Sequence, residues 1–134
     1  MTRPKTDPYD AVAHWVERHK AQLGLAEWRI TISREHAPDD CYAETQTHEQ
    51  SQTATIAVAF KFWSLSPDEQ RITLVHEMLH LDAWKASEMV DRLKDIVGSA
   101  AWNIFEPLWE DEWERLIDRH ANRIATQFSE CNFA

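Results

Sequence analysis

The segment His76-Glu77-Met78-Leu79-His80 places two imidazoles four residues apart with a carboxylate directly after the first. On a helix, residues four apart lie one turn apart on the same face. Two imidazoles so placed can reach one Zn²⁺ at roughly 2.0–2.1 Å each. Glu77 projects about 100° further round the helix, beside the ligands rather than beneath them. A carboxylate there is suited to take a proton from a metal-activated water, which is general-base chemistry. Random use of the chain's seven His and thirteen Glu yields such a pentapeptide in roughly 3% of chains. The motif also falls inside a well-signalled helix, which chance composition does not require.

Two imidazoles do not complete a hydrolytic zinc site, which uses three protein ligands and an open position. After His80 come Leu81, Asp82, Ala83 and Trp84, with Asp82 on roughly the opposite face, and the only later histidine is His120. The third ligand must therefore be an acid or His120. The last helical segment carries Glu106, Glu110, Glu112, Glu114, Asp118 and His120. Its apolar stripe, Trp109, Trp113, Leu116, Ile117, His120, Ile124 and Phe128, is centred between Trp113 and Ile117. Glu112 points away from it, whereas Glu110 and Glu114 lie one turn apart on its edge. Glu114, Glu110 and His120 all remain open as ligands on spacing alone. Asp118, one turn beyond Glu114, is placed to accept a hydrogen bond from a ligating imidazole. His14, His19, His36 and His48 show no paired spacing and read as ordinary residues.

The elements that must hold these groups can be traced along the chain. Residues 1–8 read as a flexible arm, with Asp7-Pro8 as N-cap and first helical residue. A helix over 8–23 carries Val12, Trp15, Val16 and His19 at helical spacing and stops at Gly24. Residues 27–33 alternate, with Trp28, Ile30 and Ile32 on one face, and predict a strand. After the turn at 37–40 a second strand is expected over 41–47 and a loop over 48–52. A third strand over 53–60 would put Ile56, Val58 and Phe60 on one face. Lys61-Phe62-Trp63 reads as core rather than pocket lining. Ser66-Pro67-Asp68-Glu69 is a capping box opening the metal helix, which is expected to run from 67 to about 84. Residues 86–98 are helix-compatible, and the last helix is expected over 107–128. The fold class is α+β in one domain, 9–129, with a tail at 130–134.

Composition limits the alternatives. With 134 residues, a formal charge of −9 and 23 acidic against 14 basic residues, the chain lacks the basic face of a phosphate-tracking nucleic-acid binder. No run reaches the roughly 18 apolar residues of a membrane span, and no apolar leader is visible, so a cytoplasmic location is expected. Cys41 and Cys131 stand far apart and demand no disulfide. Seven Trp exceed what a small core needs and leave room for an aromatic interface in a homo-oligomer.

Residues 71–81, Arg-Ile-Thr-Leu-Val-His-Glu-Met-Leu-His-Leu, resemble the active-site helix of gluzincin-type metallopeptidases. Glu114-Arg-Leu-Ile-Asp118 resembles their glutamate helix. The layout over roughly 25–125 is similar to minimal gluzincins and SprT-like metallopeptidases, especially those of phages and prophages. The resemblance implies a zincin-like domain: an N-terminal helix, a small sheet of three or more strands, the His-Glu-x-x-His helix and a C-terminal glutamate helix. It implies one Zn²⁺ held by His76, His80 and Glu114, Asp118 supporting a histidine, and Glu77 as base acting on a peptide or protein substrate in a bacterial or phage-infected cell. It further implies an edge strand before the metal helix that pairs with the extended substrate, a role residues 53–60 would take unless they form a central strand. The clustered Cys/His ligands of SprT-like zinc ribbons are absent from the sequence, which together with the acidity speaks against a DNA-repair role.

Overall fold

A computed structural model describes residues 7–48 and 51–133. Most of the expected N-terminal arm, the centre of the expected loop at Glu49 and Gln50, and Ala134 of the expected tail lie outside the described residues.

Helix α1 (Pro8–His19) opens on Asp7, whose side chain accepts from the Tyr9 N–H at 2.8 Å. It tightens into a 3₁₀ turn at Lys20–Leu23 and ends at Gly24, whose φ of 74° is the left-handed conformation that glycine adopts without a Cβ penalty. Strands β1 (Arg29–Ile32), β2 (Ala43–His48) and β3 (Thr53–Val58) form one sheet in the order β1-β3-β2. β1 runs parallel to β3, from Arg29↔Thr53 to Ile32↔Ile56, and β2 runs antiparallel to it, from Ala43↔Val58 to His48↔Thr53. The third strand is thus central and β2 is an edge, which settles the open choice for residues 53–60 in favour of a central strand. β3 also stops at Val58. Phe60, expected on its apolar face, enters a 3₁₀ turn at Phe60–Ser64 and is exposed. Phe62 in that turn is fully buried, in keeping with a core assignment.

Helix α2 (Pro67–Asp82) is capped by Ser66, which accepts from the Glu69 N–H at 3.2 Å and donates to its carboxylate at 3.0 Å. It buries Leu74, Val75, Met78, Leu79 and Leu81 in the same cluster as Val12, Trp15 and Val16 of α1 and Ala54, Ile56 and Val58 of β3. Two short helices follow, α3 (Trp84–Asp91) and α4 (Leu93–Val97), ending at Gly98 with φ of 83°. Helix α5 (Ser99–Ile124) starts eight residues before the expected position, so Pro107 lies inside it and not at its first turn. The buried line of α5 runs through Ile117 and Ala121, while Leu116 and His120, both expected on the apolar stripe, are exposed.

Residues 125–133 close the core. Ala125, Phe128, Cys131 and Phe133 are buried, so the expected tail at 130–134 is packed over its described part. Trp15 donates its indole N–H to the Ser129 carbonyl at 3.0 Å, and Arg71 donates to the Phe128 carbonyl at 3.0 Å. His19, buried, hydrogen-bonds Ser129 Oγ at 2.6 Å and Gln22 at 2.7 Å.

Candidate metal centre

The one-turn spacing on α2 brings His76 and His80 to the same side of the helix, facing α5. Ala121 on α5 is fully buried. A side chain that small lets two helices approach closely, and Ile117 fills the next turn toward the N-terminus. One turn further lies Glu114, whose carboxylate meets both imidazoles. His76 Nε2 and His80 Nε2 are 3.2 Å apart. Glu114 Oε2 lies 3.1 Å from His76 Nε2, and Oε1 lies 3.1 Å from His80 Nε2. Four ligands arranged tetrahedrally about an ion at roughly 2.0–2.1 Å are separated from one another by about 3.3 Å. The observed spacings are near that edge length, and among the described residues His76, His80 and Glu114 form a group able to hold a metal ion. Glu110 and His120 lie outside this group and are exposed. Asp118 Oδ1 stands 3.6 Å from His76 Nδ1, just beyond hydrogen-bond length, on the side of the ring away from Glu114.

The electrostatics follow from this geometry. Glu114 is held well below the usual carboxylate range by hydrogen bonds from His76 and then His80, against a smaller opposing effect of burial. Burial disfavours the charge on His76, but the hydrogen bond to Glu114 and the charges of Glu77, Glu114 and Asp118 together lift its pKa above the ordinary value. Glu77 is only 6% exposed. Burial pushes its carboxyl up, opposed by a hydrogen bond from Thr45 and by the neighbouring imidazoles. A carboxylate with raised proton affinity is matched to receiving a proton near neutral pH.

These groups open on a cleft of about 820 Å³. One wall is β2, the edge strand among the described residues, with Ala43, Thr45 and Thr47. The other is built from Trp84, Ser87 and Glu88 of α3 and Trp113 and Asp118 of α5. The site thus lies between a strand edge and a helical wall, with the ligand side chains partly accessible: His76 is 19%, His80 24% and Glu114 56% exposed. Cys41 also lines the cleft; burial first, and then the charges of Asp40 and Glu44, raise its thiol pKa. Cys131 is buried in the core and pushed up to about 12 by that burial. Both cysteines are free.

Sequence reasoning did not single out Thr45. Its signal was a hydroxyl where the alternation of β2 predicts an inward-facing, core-type position. Trp84 as a wall residue had no local signal, because the break between α2 and α3 sets its direction.

No protein-family model matches the chain, and neither the curated proteins nor the solved structures yield a relative or a structural neighbour. Among the described residues, no helix is long and apolar enough to cross a membrane.

Proposed function

We propose that this protein is a single-domain zinc-dependent peptidase of the minimal gluzincin, zincin-like type. The observation that carries the reading is the convergence of His76, His80 and Glu114 in an open cleft with Glu77 buried beside them. Two nitrogens and one carboxylate oxygen suit zinc, and they form a three-ligand set of the kind that leaves a position free. Bound there, zinc supplies Lewis acidity toward water and the scissile carbonyl.

The remaining work falls to the chain's own residues. The extended substrate runs along β2, whose outer backbone N–H and C=O groups have no strand partner within the sheet. Glu77 accepts the proton of the attacking water and returns it to the departing amine nitrogen. Asp118 steadies the His76 ring by its Nδ1 side. Trp84 and Trp113 flank the cleft and limit solvent around the reacting bond.

The test is Glu77→Gln, assayed on an unfolded protein substrate after zinc loading. Zinc content should stay at one per chain while hydrolysis falls roughly 10²–10⁴-fold. Full hydrolysis with zinc retained would remove Glu77 from the chemistry. A second reading, a zinc-stabilised binding module without catalysis, predicts one zinc and no cleavage by the unaltered protein. The retained Glu77 disfavours it, since a purely structural site has no use for a buried acid beside its ligands.

A further inference from the structure

We propose that Thr45, on the edge strand, is a positioning residue that tethers the base carboxylate of Glu77 in its working orientation. The inference rests on the hydrolytic reading of the site and adds a residue to it.

Alternation along β2 puts Ala43, Thr45 and Thr47 on the face turned toward α2. Ala43 is buried. In the antiparallel register Thr45 lies opposite Ile56, which is fully buried. Thr45 itself is half-buried and lines the cleft at the edge of that core. Val would supply the same shape and a higher strand preference. Its hydroxyl meets the base and not only solvent: Thr45 Oγ1 donates to Glu77 Oε2, across 32 residues of sequence.

The tether matters because of what surrounds Glu77. Its carboxylate ends a side chain with three rotatable bonds, and it sits next to two imidazoles and an open cleft. Left alone, it can swing toward the ligand nitrogens, or turn its second oxygen away from the cleft. The Thr45 hydroxyl occupies Oε2 from the strand side, which leaves Oε1 to meet water. The strand that offers its outer edge to a peptide therefore also fixes the base with an inward side chain. Placement of the peptide and placement of the base are set by one rigid element.

The experiment compares Thr45→Val and Thr45→Ser with the unaltered chain. On the zinc-loaded proteins, Thr45→Val should lower kcat roughly 10-fold, a fraction of the full general-base contribution, with KM unchanged. Thr45→Ser, which keeps the hydroxyl, should return kcat to within about two-fold. On the metal-free proteins, thermal unfolding of a double-mutant cycle with Glu77→Met reads the tether independently of activity. Thr45→Val should lower the midpoint by roughly 3–8 °C when Glu77 is present and leave it unchanged in the Glu77→Met background. An additive cycle overturns the tether, and so does a Thr45→Val enzyme with unaltered kcat. Failure of the hydrolytic reading shows separately, as absence of cleavage by the unaltered zinc-loaded protein.

Discussion

His76 and Glu114 interact strongly before any metal arrives, and their shifts set how the protein answers to pH. The depressed pKa of Glu114 gives stability that is present above its unfolded value, about 4.3, and lost as pH falls through the folded one. The raised pKa of His76 gives stability that is full below about 6.5 and lost as pH rises through the folded value. Both contributions coexist between about pH 4.3 and 6.5. The raised pKa of Glu77 acts in the same direction as His76, from its unfolded value of about 4.3 upward, because its carboxyl must ionise while buried. The metal-free protein should therefore lose stability as pH rises past about 6.5. Metal binding needs neutral imidazoles and an ionised carboxylate, so it strengthens over the same range. The gap in unfolding temperature between zinc-loaded and chelator-treated protein should widen as pH rises. A gap that narrows, measured by thermal scans at fixed zinc excess, would contradict the ligand set.

Helix α2 is legible in the sequence to within two residues because its signals are local. Ser66, Pro67 and Glu69 announce its start, and the histidine spacing has meaning only on a helix. Strand order is not local. Which of residues 43–48 and 53–58 becomes the edge depends on where β1 docks, and β1 docks parallel to β3 through a pairing that no turn residue specifies. Helix α5 departs from its sequence signals for two reasons. Pro107 has the look of a first-turn residue, yet Ser99 begins the helix directly after the positive-φ Gly98. A stripe read from its large residues gives no weight to Ala121 and turns His120 inward. In the folded chain Ala121 is fully buried and His120 is exposed. Spacing alone leaves Glu110 as well placed as Glu114, and the likeness to a glutamate helix is what favours Glu114. Pro107 sits exposed in the interior of α5, where it has no N–H to give to the preceding turn. Pro107→Ala should raise stability by about 1–3 kcal/mol, checked by denaturant unfolding. A loss would mean that the proline is needed to keep the two halves of α5 on their separate neighbours.

Over the whole molecule, packing is uneven. The sheet, α1, α2 and the end of α5 share one core, while residues 91–101 are exposed throughout and Met89, Ile96, Ile104 and Leu108 show large apolar surfaces to solvent. Within α5 a row of rings, Trp102, Phe105, Trp109 and Trp113, links that outlying part to the cleft wall, with centroid spacings of 5.8, 6.3 and 5.1 Å. The aromatic surplus noted in the sequence is thus partly spent along one helix and not in the core. The residue on which the compact part turns is Phe128, buried against the Trp15 and His19 rings. Phe128→Ala should cost about 3–5 kcal/mol, a large share of the roughly 5–15 kcal/mol typical of a domain. Equilibrium unfolding in urea measures it, and a loss below about 1 kcal/mol would show that the segment is dispensable.

The closing segment over 125–133 also bears on the order in which the molecule is made. The hydrogen bond from Trp15 to Ser129 joins residues 114 apart in the chain, and contacts of such separation are the slow ones, since loop closure comes before any gain from them. A ribosome releases α1, the sheet and the histidine helix first, Glu114 next, and the residues that cover Arg71 and Trp15 last. The nascent chain therefore carries its paired imidazoles through a stage in which the glutamate is missing and the core is open. Under the proposed function, the set of His76, His80 and Glu114 is complete only once α5 has followed α2 out of the ribosome.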